Sequence, residues 1–138
     1  MNPIILMLVA IVFIGVMLLV IIAMTRRSPH GLNQQKYRSE WLKIENSLDK
    51  SNIMTYQMAI LSADKLLDQA LRDIGLPGEA MGDRLKAAKG KFSNINQVWT
   101  AHKLRNRIAH DTDVKINIMV AKRALAVFKR SLRELGAI

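Results

Sequence analysis

The chain has no cysteine among its 138 residues. That excludes a disulfide framework, a thiol nucleophile and a thiolate metal site, and it fits a reducing compartment. Aromatic residues make up only 5% of the sequence, a low share for a β-sandwich or barrel, and β-branched residues thin out after the first segment. There is no Gly-rich phosphate loop, no H-E-x-x-H and no serine in a recognisable nucleophile setting. The three histidines lack metal-ligand spacing, so neither a metal nor another cofactor is expected. Acidic side chains are the minority, 11 against 21 Lys and Arg, for a formal net charge of +10. Ala, Leu, Lys, Arg and Met dominate what is left, a composition that leans helical.

Charge is missing altogether from Pro3 to Met24, a run of 22 apolar residues. As a helix it would be roughly 33 Å long, enough to cross a hydrocarbon core of about 30 Å. A helix is also the only single segment that satisfies its own backbone in lipid. The competing reading is a cleaved secretory signal. Such a signal wants a basic start, a shorter apolar stretch and a small-x-small cleavage site, and this sequence offers none of them. Arg26 and Arg27 abut the end of the run, with His30, Lys36 and Arg38 close behind. Positive residues stay inside, so the expectation is a single-pass protein with its N-terminus outside and its domain cytoplasmic. Gly15 forms no small-xxx-small pair, so pairing of this helix in the membrane has no sequence support.

The sequence divides into an anchor over 1–25, a juxtamembrane linker over 26–35 that contains the turn-forming Ser28-Pro29-His30-Gly31, and a helical domain over 36–138. In the domain the spacing of Tyr37, Trp41, Ile44 and Leu48 predicts a helix over about Gln34–Leu48. A second helix, about Asn52–Ile74, follows with Ser51 as its cap and Gly75 as its stop. Its apolar stripe reads Ile53, Tyr56, Ile60, Leu67, Leu71 and Ile74, and Asp64 interrupts it. Asp68 falls at the edge of that stripe, where it can pair with Arg72 as ordinary surface. A short helix is expected near Glu79–Ala88, then a third long one from the Ser93–Asn96 cap to about Ala109. A last helix is expected from an Asp113 cap to Leu135, with Gly136 beyond it. The expected fold is all-α: one N-terminal transmembrane helix and a four- to five-helix up-and-down bundle. The eight methionines are expected mostly in the apolar run or on core stripes, where gap-filling is a sufficient explanation.

Residues 33–76 hold six basic and six acidic side chains, whereas residues 77–138 hold thirteen basic and five acidic ones. The C-terminal half is therefore electropositive. A nucleic-acid backbone, the headgroups of membrane lipid and a merely solvated surface all suit it.

Within that half lies Trp99-Thr100-Ala101-His102-Lys103-Leu104-Arg105-Asn106-Arg107-Ile108-Ala109-His110-Asp111. Arg105, the polar Asn106 directly after it, and His110 form R-N-x-x-x-H. This resembles the R-x4-6-H signature of the HEPN superfamily, and the likeness extends to its place at the end of the third long helix. Over roughly residues 34–136 the resemblance implies an HEPN-like bundle. It also implies metal-independent endoribonuclease activity, with paired motifs forming one site across a homodimer. The implied catalytic residues are Arg105, Asn106 and His110. RNA would be the substrate, and an antitoxin or other regulatory protein a partner. The chemistry suits the residues, because histidine can act as base or acid near neutrality and arginine grips phosphate through a planar fork. Lys103 and Arg107 are read as phosphate-binding or solvated.

On a straight helix Arg105 and His110 would lie about 140° apart. The motif therefore needs His110 beyond the helix end, or residues converging from two chains. His102 and Asp64 are supporting candidates, each with two readings. His102 is a second site residue or a partly buried ring bonded to a carbonyl or to Asp64. Asp64 is an ion-pair partner of Arg105 or Arg84, or it orients His110. The alternative for the whole protein is a non-catalytic, membrane-tethered scaffold or ligand-binding module, since HEPN-like domains also serve as such.

Overall fold

The computed structural model describes residues 2–25, with side chains as far as Ile22, and residues 31–138. All regular structure among them is helical: α1 (Pro3–Thr25), α2 (Gln34–Asn46), α3 (Ile53–Asp73), α4 (Met81–Ala87), α5 (Ile95–His110) and α6 (Ile118–Glu134). The chain forms two compact units, Met1–His30 and Gly31–Ile138.

In the first unit α1 carries no charged residue and is exposed on all sides. It is long and apolar enough to cross a membrane.

The second unit is a helical bundle. Its central helix is α3, which packs against α2, α4, α5 and α6, while α5 also packs on α6. The apolar stripe of α3 buries Tyr56, Ile60, Leu67 and Leu71 against Val98 of α5 and Phe128 and Leu132 of α6. Full burial of one such large side chain contributes about 1.5–3 kcal/mol. Ala59, Ala63 and Ala70 of α3 and Ala121 and Ala124 of α6 are buried between them. Small side chains at these positions let the helix axes come close.

Asparagine starts every helix of the bundle except the short α4. The side chains of Asn33, Asn52, Asn94 and Asn117 accept from the backbone N–H of Lys36, Met54, Gln97 and Val120. Each satisfies one of the orphan donors of a first helical turn. Two caps differ from expectation. Ser51 does not cap α3, because Asn52 beside it does, and Ser51 instead bonds Asp49. Asp113 does not cap the last helix, which begins four residues later than expected at Ile118. The intervening Val114 and Ile116 are β-branched and resist helix formation, and Asn117 supplies the stronger start.

Gly75 and Gly136 stop α3 and α6 as expected, with φ of 84° and 77°. In both cases the N–H of the residue after the glycine reaches back five residues, Leu76 to Leu71 and Ala137 to Leu132.

The linker is shorter than expected at its far end. Leu32 is part of the core, Asn33 is the cap of α2, and residues 34 and 35 are helical. The rest of the expected linker, residues 26–30, lies outside the described residues, as do Arg26, Arg27 and the Ser28–His30 turn. The expectation for methionine also fails for three residues: Met54 and Met58 of α3 and Met119 of α6 are exposed, and only Met81 fills the core. They lie on helix faces that no other helix covers.

Polar contacts tie the ends of the bundle. The buried Tyr37 hydroxyl donates to Asp73 Oδ2 at 2.6 Å, joining the start of α2 to the end of α3. Burial, and next the bond to that carboxylate, push the Tyr37 hydroxyl well above the usual phenol range. Glu45 of α2 accepts from Trp41 Nε1 at 2.8 Å and from Lys129 Nζ of α6 at 2.5 Å.

Candidate functional site

The carboxylate that interrupts the α3 stripe sits where α5 crosses it. Asp64 is only 3% exposed. A group so buried stays charged only with partners, and α5 supplies two. His102, Arg105 and Asn106 stand one turn apart on that helix and so share a face. His102 Nδ1 lies 2.8 Å from Asp64 Oδ1, and Arg105 Nε lies 3.4 Å from Asp64 Oδ2. Arg105 Nη1 donates to Asn106 Oδ1 at 3.0 Å, and Asn106 Nδ2 meets His102 Nε2 at 3.3 Å. The four side chains Asp64, His102, Asn106 and Arg105 thus form a ring of three hydrogen bonds, whose fourth side, Arg105 to Asp64, is an ion pair that leaves Nε without a hydrogen bond.

The donors in that ring can be assigned from one member. Arginine only donates, so Asn106 must present its oxygen to Arg105 and therefore its amide N–H to His102. His102 Nε2 is then the acceptor, and its Nδ1–H donates to Asp64. Both imidazole nitrogens are occupied. The edge of Trp99 closes over the ring, with centroids 6.1 Å apart at 70°. The Arg105 side chain is 33% exposed and reaches a shallow depression of about 680 Å³ between α3, α4 and α5. Lys65, His102 and Asn106 line it as well.

Of the contacts considered for His102 and Asp64, the structure places these two side chains against each other. The ring is a nearly buried histidine bonded to Asp64, and Asp64 is the ion-pair partner of Arg105 rather than of Arg84. The remaining candidates are elsewhere. His110 is the last residue of α5, exposed, and makes no hydrogen bond or ion pair with a described residue. Because α5 runs through it, His110 does not lie beyond the helix end. Lys103 and Arg107 are exposed on α5 but line a different hollow, between α5 and α6. Within one chain, then, Arg105 and Asn106 come together with the supporting pair, and His110, Lys103 and Arg107 do not.

A second buried ion pair was not expected from the sequence. Asp68 was read as surface, yet its side chain is only 16% exposed and accepts from Arg84 Nε at 2.6 Å and Nη2 at 3.0 Å. Arg72, the expected partner, also reaches it at 3.0 Å. Arg84 is buried, and the Asp68 hydrogen bonds hold its guanidinium above the ordinary arginine value. Its Nη1 donates to the carbonyl of Gly78, whose φ is 145°. A Cβ there would meet Asp83 Cβ at 2.6 Å, so the turn requires glycine. The signal was present in the sequence: Asp68 follows Asp64 by one helical turn, and Arg84 sits between Met81 and Leu85 in a short helix.

No family model, curated protein or solved structure matches this chain. The site is therefore interpreted from its own chemistry.

Proposed function

We propose that the bundle is an HEPN-like domain that cleaves RNA without a metal, as a homodimer, and that α1 holds it at the cytoplasmic face of a membrane. The observation that carries this reading is the division of labour along α5. Arg105 and Asn106 are fixed by the Asp64–His102 pair, while His110 at the end of the same helix makes no hydrogen bond or ion pair with a described residue.

Cleavage needs a base to take the proton of the ribose 2′-hydroxyl as its oxygen attacks phosphorus. It needs an acid to protonate the departing 5′-oxygen, and positive charge on the phosphorane. Two His110 rings, one from each copy, supply base and acid. Arg105 commits Nη1 to Asn106 and keeps Nε beside Asp64 as an ion pair without a hydrogen bond, which leaves Nη2 to face a phosphate oxygen. Asn106 holds that fork in orientation. The bond that forms is 2′-O–P, the bond that breaks is P–5′-O, and the products carry a 2′,3′-cyclic phosphate and a 5′-hydroxyl. Because Arg105 and His110 do not share a face of α5, one copy alone cannot assemble this site. An antitoxin-like regulator is the class of partner that would restrain such an activity.

The second reading is a non-catalytic, membrane-tethered scaffold. What favours it is that Asp64 already neutralises Arg105 and that both nitrogens of His102 are engaged.

The test incubates the full chain in lipid nanodiscs with mixed single-stranded RNA in EDTA, beside His110→Ala. The expected result is cleavage by the wild type alone, leaving 2′,3′-cyclic phosphate ends, with the helicity of the variant unchanged because His110 is exposed. A folded, dimeric wild type that leaves RNA intact would sink the nuclease and favour the scaffold. Mass spectrometry of the protein recovered from its native host tests the anchor: a chain beginning near residue 25 would mean that α1 is a removed signal.

A further inference from the structure

The face of α5 opposite the ring forms an open groove with α6 of about 660 Å³. Its floor is apolar, made by Ala101, Leu104, Val120, Ala124 and Val127, and its rim is cationic, with Lys103, Arg107 and Arg123. No carboxylate lines it. Lys103 and Arg123 are exposed and make no ion pair with a described residue, and Arg107 has only a loose contact, 4.0 Å from the equally exposed Asp111. The groove is of the size that takes a small molecule or a chain segment.

We propose that this groove seats an anionic phospholipid of the membrane that α1 enters. Two independent features point to lipid. The first is the match of chemistry. An acidic headgroup answers a rim of three exposed cations, two of them without an ion pair to a described residue, and the upper acyl chain answers an alanine, leucine and valine floor. Long basic side chains suit such a boundary, because their stems lie on apolar surface while their charges stay at the headgroups. The second is reach. Only residues 26–30 separate α1 from the folded unit, and five residues span at most about 18 Å. A domain so tethered works within range of the anionic leaflet, where each lysine or arginine adds to the attraction. RNA fits this groove less well, since single-stranded bases stack on aromatic side chains and none lines it. The inference depends on α1 being an anchor but not on the nuclease reading.

The absence of cysteine makes the test clean, because one introduced thiol carries one label. Val120→Cys and Ala126→Cys place a spin label in the groove, and Ser39→Cys on the exposed side of α2 serves as control. Each full-length variant is set in nanodiscs of phosphatidylcholine alone, or with phosphatidylserine at about 2:1 to mimic an anionic leaflet. Collision of the label with a water-soluble nickel chelate is then read.

The expected result is a several-fold fall in collision rate at both groove positions in the anionic discs only. The fall should be reversed by high salt, abolished by Lys103→Glu/Arg107→Glu/Arg123→Glu, and absent at Ser39→Cys. Equal accessibility in both lipids overturns the proposal, as does protection in neutral lipid that salt does not touch. Protection by added single-stranded RNA or by an acidic helical peptide, without a lipid effect, assigns the groove to that ligand instead. A chain that does not stay with the disc removes the tether and the proposal with it. RNA cleavage plays no part in the readout.

Discussion

Replacing Asp64 with alanine tests the ring directly, and the structure sets the size of the effect. Asp64 accepts from a His102 side chain that is 10% exposed, so its removal strands a buried N–H donor. A lost hydrogen bond to a charged group with a buried partner left behind costs about 1.5–3 kcal/mol. The Arg105 side chain, 33% exposed, can turn to water, and a pair so solvated contributes no more than about 1 kcal/mol. Asp64→Ala should therefore destabilise the bundle by about 2–4 kcal/mol. Asp64→Asn keeps an oxygen for His102 but turns an amide N–H toward Arg105, and should cost roughly half as much. The assay is urea unfolding of the full chain in nanodiscs, followed by tryptophan fluorescence. Trp99 lies against the His102 ring and reports on the site itself. In a double-mutant cycle with His102→Ala, the two losses should fall short of additivity by more than about 0.5 kcal/mol. A loss below about 1 kcal/mol for Asp64→Ala with an unchanged denaturant slope, or simple additivity with His102→Ala, would refute the closed ring as a stabilising unit.

The second carboxylate should matter more than the first. Asp68→Ala strands the Arg84 guanidinium, whose side chain is only 4% exposed, and should cost about 3–5 kcal/mol. The same urea titration ranks the two, and a smaller loss for Asp68→Ala than for Asp64→Ala would contradict the burial argument. Gly78→Ala should cost roughly 1–3 kcal/mol in backbone strain alone, because its φ is 145° and the new Cβ would press on Asp83. An unchanged unfolding midpoint would mean that the turn tolerates a side chain. Asn117→Ala removes the α6 cap and should cost about 1 kcal/mol, with Asn117→Asp restoring most of it. Stability should also fall in acid. Hydrogen bonds from Lys129 and Trp41 hold Glu45 below the usual carboxylate range. Burial pushes Asp73 up, but the bonds from Tyr37 and Gln69 bring it below its ordinary value. Both stabilise the fold above the unfolded carboxylate pKa of about 4 and lose that effect as pH drops through their lower folded values. Glu45→Gln with Asp73→Asn should flatten the fall of the urea midpoint below about pH 4, and an unaltered slope would place the acid response elsewhere.

The apolar run, the helix order and the glycine stops were legible because each rests on local chemistry. Absence of charge over 22 residues, apolar spacing along α3 and α6, and Gly75 and Gly136 at positive φ all act within a few residues of chain. Asp64 was legible as an anomaly for the same reason, since a carboxylate in a core stripe demands a partner, and its pairing with Arg105 follows. What was not legible depends on neighbours distant in sequence. Asp68 looked like surface until α4 brought Arg84 to it. Met54, Met58 and Met119 looked like core because periodicity shows which residues share a face but not whether anything covers it. The start of the last helix was misjudged because Asp113 and Asn117 are both competent caps, and the β-branched residues between them decide the choice. The site divides in the same way. Arg105, Asn106, His102 and Asp64 converge through helical spacing, whereas His110 stands apart from them within the chain.

The ring also limits how α5 can move. Four linked side chains at residues 64, 102, 105 and 106 fix both its rotation and its sliding against α3. The helix cannot turn as a rod in response to anything that lands on its other side. Only its last turn is downstream of the pin, and that turn holds Arg107 on the groove rim and His110 at the end. The helix is held like a beam clamped close to its C-terminal end.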